Sequence, residues 1–474
     1  MSSSDPRYLL FAAVVALLLP LVPGGRPRLA ALVLVSLLFY ASFSPWYLLI
    51  LAFVTISSFG LALVFSGNEA ERSRKPVFIL SIVIALLPLL SFKYLGGMLG
   101  EQFSTQPAWL SLLNAALPVG LSFYTFQAVG YLIDVYVGNL EAERDPIRFS
   151  AFMSFFPQLL AGPIERAPHL LPQLDQLGQF DYARAVAGIR AILIGLLLKI
   201  VVADSLAPLV DTVYSDPRRF SSPDLALATI YFSFEVYADF AGYSLIAIGS
   251  ARLLGIELLQ NFAQPFLSQN LPEYWRTWHI SLSSWFRDYV FTPLQFQWRR
   301  RGSTGLALAL IITFTIVGIW HGSGWKYAIF GLMHGLLVSY STLTFRARDK
   351  AWRKSGVPMG LVAVWRAVAT FFTITLTFVL FRADDVTTAA WIYTQLVTGP
   401  IKGITLPVLW PMALIAIVIA GDLIARHRAK LLDQSSQFMR WAVYHVATLT
   451  VLSAMLLHFI QGAQHVRQFI YYKF

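Results

Sequence analysis

Long apolar runs dominate the chain and are the first guide to its fold. A membrane-spanning helix needs about 20 mostly apolar residues, and runs near that length recur along the whole sequence. They lie at residues 8–22, 28–43, 46–66, 77–95, 117–137, 185–203, 224–250, 304–320, 326–344, 361–381, 407–424 and 440–460. Because these runs mostly lack a polar stripe, one very large soluble core is disfavoured. The pattern predicts an all-α polytopic membrane protein with about 11–13 transmembrane or re-entrant helices.

Two of these apolar runs are short for a span, and one further apolar run, not among those twelve, is shorter still. They are residues 8–22, 28–43 and 149–161, and some of them are expected to be kinked or re-entrant segments that line a protein cavity. No cleavage site of small residues follows the first run, so we expect residues 8–22 to be retained as a span. With no internal repeat and no long linker in the sequence, residues 1–474 are predicted to form a single transmembrane domain.

Composition agrees with a bilayer protein. Hydrophobic residues make up 57% of the chain and charged residues only 13%, against roughly a quarter charged in soluble domains. The net charge of +11 comes from basic clusters that we expect to lie in short loops, rather than from a nucleic-acid-binding face. These clusters are Arg26/Arg28, Arg72/Arg74/Lys75, Arg299/Arg300/Arg301, Arg346/Arg348/Lys350/Arg353/Lys354 and Arg426/Arg428/Lys430. The positive-inside rule places such clusters together on the cytoplasmic side.

One segment departs from the apolar pattern. Residues 262–302 carry Glu273, Arg276, His279, Arg287 and Asp288 among four tryptophans. This segment cannot be a simple lipid-facing span, and its aromatic and amphipathic character favours a position at the interface or along a polar cavity on the basic side.

Missing residue types and motifs narrow the chemistry. The chain has no cysteine, which excludes thiolate catalysis, disulfides and cysteine-ligated metals. Hydrolase-elbow, Walker and dinucleotide glycine patterns are absent, and the eight histidines form no His-Glu-x-x-His pair. We therefore expect no metal site.

His321 is the leading candidate for catalysis. Basic clusters bracket the apolar pair 304–320 and 326–344, so the pair is expected to leave the cytoplasmic side and return, with His321 at the far end or in the interior. Imidazole titrates near neutral pH and can act as a general base. A histidine that merely packs against a neighbouring helix is the alternative. Gly322 and Gly324 favour the catalytic interpretation, since glycine allows close approach of a ligand.

Two carboxylates, Glu235 and Asp239, lie four residues apart in another apolar run and share one helix face. They could orient a histidine or bind a substrate hydroxyl. The alternative, which we favour, is a buried structural network closed by an arginine such as Arg276 or Arg287, because carboxylates in membranes usually pair.

Several motifs, in order along nearly the whole chain, resemble those of the membrane-bound O-acyltransferase (MBOAT) family. They are Leu117–Tyr124, Phe156–Arg166, Asp239–Ser244, Asn261–Phe262, Gln264–Phe266, Tyr274–Ser283, Arg287–Tyr289, Ile319–Gly322 and Phe469–Phe474. The polysaccharide-acetylating branch is most similar, and the branch that transfers D-alanine to teichoic acid is a near cousin. Leu245 is a departure, because alginate-acetylating members carry aspartate there and the D-alanyl branch carries leucine.

The resemblance implies a ring of tilted helices around a central funnel, with the acyl donor on the cytoplasmic side and the acceptor outside. His321 matches the family's essential histidine. The resemblance further suggests a set of substrate-binding residues: Trp320, His279, Asp239, Tyr243, Ser244, Gln158, Arg287 and Asp288.

The resulting hypothesis is acetyl transfer from acetyl-CoA, with no bound cofactor, to hydroxyls of an extracytoplasmic polysaccharide such as alginate. It includes a periplasmic acetyltransferase as partner and a multi-pass location in the bacterial inner membrane. Two alternatives stay open: D-alanyl transfer from a carrier protein, and a transporter that uses Asp239 and His321 as relay groups.

Overall fold

The computed structural model describes residues 4–67, 71–95, 118–159, 162–401, 403–427 and 436–460. Within these ranges the regular structure is helical, and strand-like pairing is confined to a single bridge between Phe262 and Trp278. The all-α prediction is confirmed. Leu117, Leu160, Ala161 and the closing motif Phe469–Phe474 lie outside the described residues.

The described residues form two compact units. The first holds the chain up to Gly195 together with Tyr243–Gln260. Its helices are α1 (Pro6–Leu18), α2 (Arg26–Ala41), α3 (Pro45–Ser66), α4 (Glu71–Leu90), α5 (Leu121–Val137), α6 (Pro146–Ser154), α7 (Phe156–Leu159), α8 (Ala167–Leu170) and most of α9 (Tyr182–Leu196).

The second unit holds Leu196–Gly242 and the chain from Asn261 onward. Its helices are α10 (Asp204–Ser215), α12 (Leu271–Thr277), α13 (Ile280–Phe286), α14 (Thr292–Gln297), α15 (Gly302–His321), α16 (Trp325–Lys354), α17 (Met359–Arg382), α18 (Val386–Thr398), α19 (Leu409–His427) and α20 (Gln437–Ile460). Helix α11 (Ser222–Leu253) contributes residues to both units. The single-domain organisation of residues 1–474 stays a prediction.

Seven helices in the described part of the chain are long and apolar enough to cross a membrane. They are Pro45–Ser66, Arg74–Tyr94, Tyr182–Ser215, Arg299–His321, Trp325–Lys354, Met359–Arg382 and Leu409–Arg426. Pro6–Leu21 is a shorter apolar helix. The polytopic prediction is confirmed, and the larger number expected from sequence also included shorter or more polar helices such as α5 and α11.

Helices extend beyond the apolar runs that predicted them. The basic cluster at residues 346–354 was expected to be a loop, yet it forms the last turns of α16. Lysine and arginine are good helix formers, and Asp349 accepts a 2.8 Å hydrogen bond from Arg353 Nε one turn later. Hydropathy indicates where contact with lipid ends, but it does not indicate where the helix ends. Here the helix continues past the apolar run.

Helices α15 and α16 form a hairpin packed through glycines. A Cβ atom added at Gly331 would lie 2.8 Å from the Cα of Gly318, and one at Gly335 would lie 2.7 Å from the Cα of Ile311. Small residues let helix backbones approach closely in membranes. This glycine seam therefore fixes the position of α15, and of His321 at its end, against α16.

Candidate functional site

His321 is the last residue of α15, where the backbone turns extended at Gly322. The side chain is buried, with 5% of its surface exposed. Its imidazole packs against Phe381 at 5.1 Å and Phe330 at 6.1 Å between ring centroids. These contacts place an ionisable ring in an apolar surround at a helix end, where the side chain can act on a substrate that enters the protein.

Trp320 and His279 extend this site. The Trp320 ring lies 4.7 Å from His321 and 6.4 Å from His279, and His279 lies edge-on to Phe240 at 4.5 Å. A continuous row of rings therefore runs from α11 through His279 to the proposed base. Three residues predicted to bind substrate or act on it, His321, Trp320 and His279, are brought together.

His279 has a left-handed backbone, with φ of 42°, which is uncommon for a residue other than glycine. The turn is held by a 2.9 Å hydrogen bond from the amide of Ile280 to the carbonyl of Asn261, and by Ser281 Oγ donating to Asn261 Oδ1 at 2.6 Å. The local structure thus overcomes a sparsely populated conformation in order to place the imidazole against Phe240 and Trp320.

Asp239 belongs to a buried ion cluster. Lys199 Nζ lies 2.6 Å from Asp239 Oδ1 and 2.8 Å from Asp204 Oδ1, and the three side chains are at most 4% exposed. The network interpretation of Asp239 is supported, but the predicted closing arginine was wrong. Arg276 Nε donates to the carbonyl of Pro272, and Arg287 pairs with Asp288.

Lys199 was missed by the sequence analysis, although the sequence carries a signal for it. It is a lysine within the apolar run 185–203, and an ionisable side chain at membrane depth calls for a partner. Asp204 follows it by five residues, and the backbone between them forms a π-helical segment, Leu197–Ala203. Such segments often occur at functional sites.

His334, the second histidine of the hairpin, has a structural role. Trp275 Nε1 donates to His334 Nδ1 at 3.3 Å, and His334 Nε2 lies 3.0 Å from Thr377 Oγ1. Indole is only a donor, so Nδ1 is the acceptor and Nε2 carries the proton. Thr377 Oγ1 donates in turn to the carbonyl of Ile374, and both ring nitrogens of His334 are satisfied.

The row of rings does not include the other predicted binding residues. Gln158, Tyr243 and Ser244 are buried within the first unit. There, Gln158 Nε2 donates to Gln127 Oε1 at 3.1 Å and to the carbonyl of Phe152 at 3.2 Å. Arg287 and Asp288 form an ion pair of 2.8 Å with each other, and both are exposed. The roles of these residues in binding stay predictions.

The arrangement around His321 has the elements of a proton-transfer site in a water-poor setting. A neutral imidazole can accept a proton from a hydroxyl, and surrounding aromatic rings can exclude water from the reacting groups. Among the described residues, no group of three or more histidine, aspartate or glutamate side chains is placed to hold a metal ion.

Most of the chain matches the model of a single protein family. The model of "MBOAT, membrane-bound O-acyltransferase family" matches residues 35–381. That stretch contains the histidine at the end of α15, the ring row and the buried ion cluster.

Three relatives represent the similarity. "Probable alginate O-acetylase AlgI" of Pseudomonas aeruginosa is 33% identical over 378 residues, 78% of this chain and 70% of the relative. "Peptidoglycan O-acetyltransferase" of Helicobacter pylori is 32% identical over 384 residues, 76% of this chain and 71% of the relative. "Teichoic acid D-alanyltransferase" of Streptococcus thermophilus is 32% identical over 337 residues, 66% of this chain and 77% of the relative.

Proposed function

Because this chain belongs to the membrane-bound O-acyltransferase family, we propose that it transfers an acetyl group from acetyl-CoA to hydroxyls of an extracytoplasmic polysaccharide. Membership makes the protein an O-acyltransferase, which removes the transporter alternative. The observation that carries the proposal is His321, buried against Trp320 and Phe381 at the end of a span whose other end is basic.

The proposed reaction uses His321 as general base and then as general acid. The imidazole accepts the proton of an acceptor hydroxyl while that oxygen attacks the thioester carbonyl and the new C–O bond forms. The C–S bond then breaks, and the imidazolium returns the proton to the departing thiolate, so the histidine ends the cycle neutral. In this proposal Trp320 and His279 line the path by which substrate reaches His321. Asp239 supports that path from α11.

The acceptor in this proposal is alginate or a similar exopolysaccharide. The Pseudomonas relative, which is named a probable alginate O-acetylase, supports this choice. The proposal places the chain in the bacterial inner membrane as a multi-pass protein, with a periplasmic acetyltransferase as partner. Binding roles for Gln158, Tyr243, Ser244, Arg287 and Asp288 are part of the proposal because the family resemblance implies them.

A second candidate, D-alanyl transfer from a carrier protein, is favoured by one specific residue. The family resemblance groups Leu245 with the D-alanyl branch rather than the alginate branch, and a relative named teichoic acid D-alanyltransferase is 32% identical. The same histidine chemistry serves both acyl groups, so the site around His321 does not discriminate between them.

Supplying each acyl donor separately distinguishes the two candidate functions. The purified protein is reconstituted in vesicles and supplied with radiolabelled acetyl-CoA or with a D-alanyl-loaded carrier protein, and label on an added polysaccharide is counted. Acetyl-CoA is expected to label the polymer in the wild type and not in His321→Ala. Label from the carrier alone would overturn acetyl transfer, and full activity of folded His321→Ala would overturn the role of His321.

A further inference from the structure

A small cavity lies between α16 and α17, away from the His321 site. Its volume is about 200 Å³, and its lining includes Tyr340, Arg348, Trp352, Trp365 and Arg366. These residues come from the C-terminal half of α16 and the N-terminal half of α17, and Gln269, Asn270 and Leu271 at the start of α12 complete this side of the lining. The cavity therefore lies at the end of the two spans where the basic cluster is found.

The cavity carries an excess of positive charge. Arg348 Nη2 donates to the carbonyl and Oγ of Ser341 at 3.2 and 3.3 Å, while Arg366 Nη2 donates to Asp349 Oδ1 at 3.0 Å. Asp349 also pairs with Arg353, so this carboxylate faces two guanidinium groups, and the cavity lining itself holds Arg348 and Arg366 but no carboxylate. The arrangement favours binding of an anion, and a guanidinium suits the geometry of a phosphate.

Arg348 is held in a position to bind such an anion. Its guanidinium lies 5.7 Å from the centre of the Tyr340 ring, and the two hydrogen bonds to Ser341 both leave from Nη2. An arginine side chain has five N–H donors. The donors on Nε and Nη1 therefore remain for a ligand in the cavity.

Both helices that line the cavity carry exposed apolar side chains. Exposed side chains recur at helical spacing along both helices: Leu332, Leu336, Tyr340 and Leu343 on α16, and Leu361, Val364, Val368 and Phe372 on α17. Both helices are candidate spans, so these stripes are the surface that acyl chains contact. Trp365, which is 58% exposed, lies where tryptophan is enriched at membrane interfaces.

The size of the cavity favours a lipid headgroup over a large soluble cofactor as its ligand. A volume of about 200 Å³ falls below the roughly 300 Å³ at which pockets for drug-sized ligands begin. A phosphate headgroup fits in such a space while its acyl chains lie along the stripes outside. We propose that this cavity binds the phosphate of an anionic phospholipid from the leaflet on the basic side.

Lipid retention by the full-length protein tests the proposal. Protein purified in detergent is mixed with phosphatidylglycerol or phosphatidylcholine, and bound lipid is measured by native mass spectrometry. The wild type is expected to retain phosphatidylglycerol preferentially. In Arg348→Gln the apparent affinity should fall about tenfold, the size expected for loss of a charge-assisted hydrogen bond, while Arg348→Lys should recover part of the loss.

Arg346→Gln is the matched control, because Arg346 and Arg348 are both exposed arginines of the same helix and only Arg348 lines the cavity. It should retain the lipid as the wild type does. Equal losses in Arg346→Gln and Arg348→Gln would overturn the site in favour of a diffuse charge effect.

Competition on the wild type needs no variant and so does not depend on a variant's folding. Inorganic phosphate or coenzyme A, each in excess, should leave phosphatidylglycerol bound. Displacement by either one, or equal retention of the two lipids, would overturn the assignment to an anionic phospholipid.

Discussion

Lys199 holds Asp239 through a 2.6 Å contact between Nζ and Oδ1, and it also contacts Asp204 at 2.8 Å. All three side chains are buried, so removing one charge leaves the others uncompensated. Replacing Lys199 by methionine should therefore destabilise the protein by about 3–5 kcal/mol, the range for a broken buried ion pair. The measurement is the free energy of unfolding in mixed micelles.

Lys350→Met is the matched control for this prediction, since Lys350 is exposed and its removal should change stability little. Adding Asp204→Asn and Asp239→Asn to Lys199→Met should restore part of the loss, because the remaining charges are removed. If Lys199→Met and Lys350→Met proved equally stable, the cluster would contribute no net stabilisation.

The two histidines of the hairpin should separate activity from stability. His321→Ala is expected to lower the acyl-transfer rate per folded molecule by about 10²–10⁴-fold, the usual contribution of general acid–base catalysis, which exceeds what the loss of its buried ring does to stability alone. His334→Ala leaves the buried indole N–H of Trp275 without its acceptor, a loss of about 1–3 kcal/mol.

For this pair, rates are measured per folded molecule and compared with those of His445→Ala, which changes an exposed histidine. The His334→Ala protein should then keep most of its activity. A normal rate in His321→Ala, or a rate in His334→Ala as low as that of His321→Ala, would contradict the division of roles.

The glycine seam should be sensitive to a single methyl group. In Gly331→Ala the new Cβ would meet the Gly318 backbone at 2.8 Å, which forces α15 and α16 apart and should lower stability by about 1–3 kcal/mol. Gly60→Ala in α3 meets nothing within 4 Å and should be neutral or stabilising, because alanine favours the helix. The comparison is made by thermal unfolding in one detergent, and equal midpoints would argue against the seam.

Stability should depend on pH through His169. Its Nδ1 lies 2.7 Å from the buried carboxylate of Glu165, and this hydrogen bond raises the pKa of His169 above the ordinary 6.5. A raised pKa stabilises the fold fully below pH 6.5, and this contribution is lost as the pH rises through the folded-state pKa. Because the imidazole is 38% exposed, screening should keep the effect below about 1 kcal/mol.

Thermal unfolding of His169→Gln across the same pH series provides the check. The difference between wild type and variant should shrink as the pH rises above 6.5. A difference that stayed constant or grew with pH would show that the protonated imidazole is not the stabilising form.

Apolar periodicity predicted the helix that carries His321 almost to the residue, 304–320 against Gly302–His321, because both of its ends coincide with changes in polarity. It failed where helices leave the lipid, as in α16, since charged helical residues are indistinguishable from a loop by hydropathy. The MBOAT motifs found His321, Trp320 and His279, which the structure brings together within one unit.

The apolar pattern of the sequence could not identify the ion-pair partner of Lys199. A single lysine in an apolar run identifies a buried charge, but its partner on α11 is 40 positions away in the sequence. The expected arginine partners were chosen for their composition, and Arg287 instead pairs with its neighbour Asp288. Pairing between helices depends on packing, which a local pattern does not contain.

The glycine seam also sets the distance over which the donor must reach. Helix α15 has 20 residues and therefore a length of about 30 Å, which is close to the hydrocarbon thickness of a bilayer. With its register against α16 fixed, His321 is held nearly one membrane thickness from Arg299–Arg301. In the proposed orientation the acceptor reaches His321 over a short distance from outside. The acyl group must cross most of the membrane from the cytoplasmic side. A donor whose acyl group rides on a long flexible arm suits that path, and a compact acyl phosphate does not.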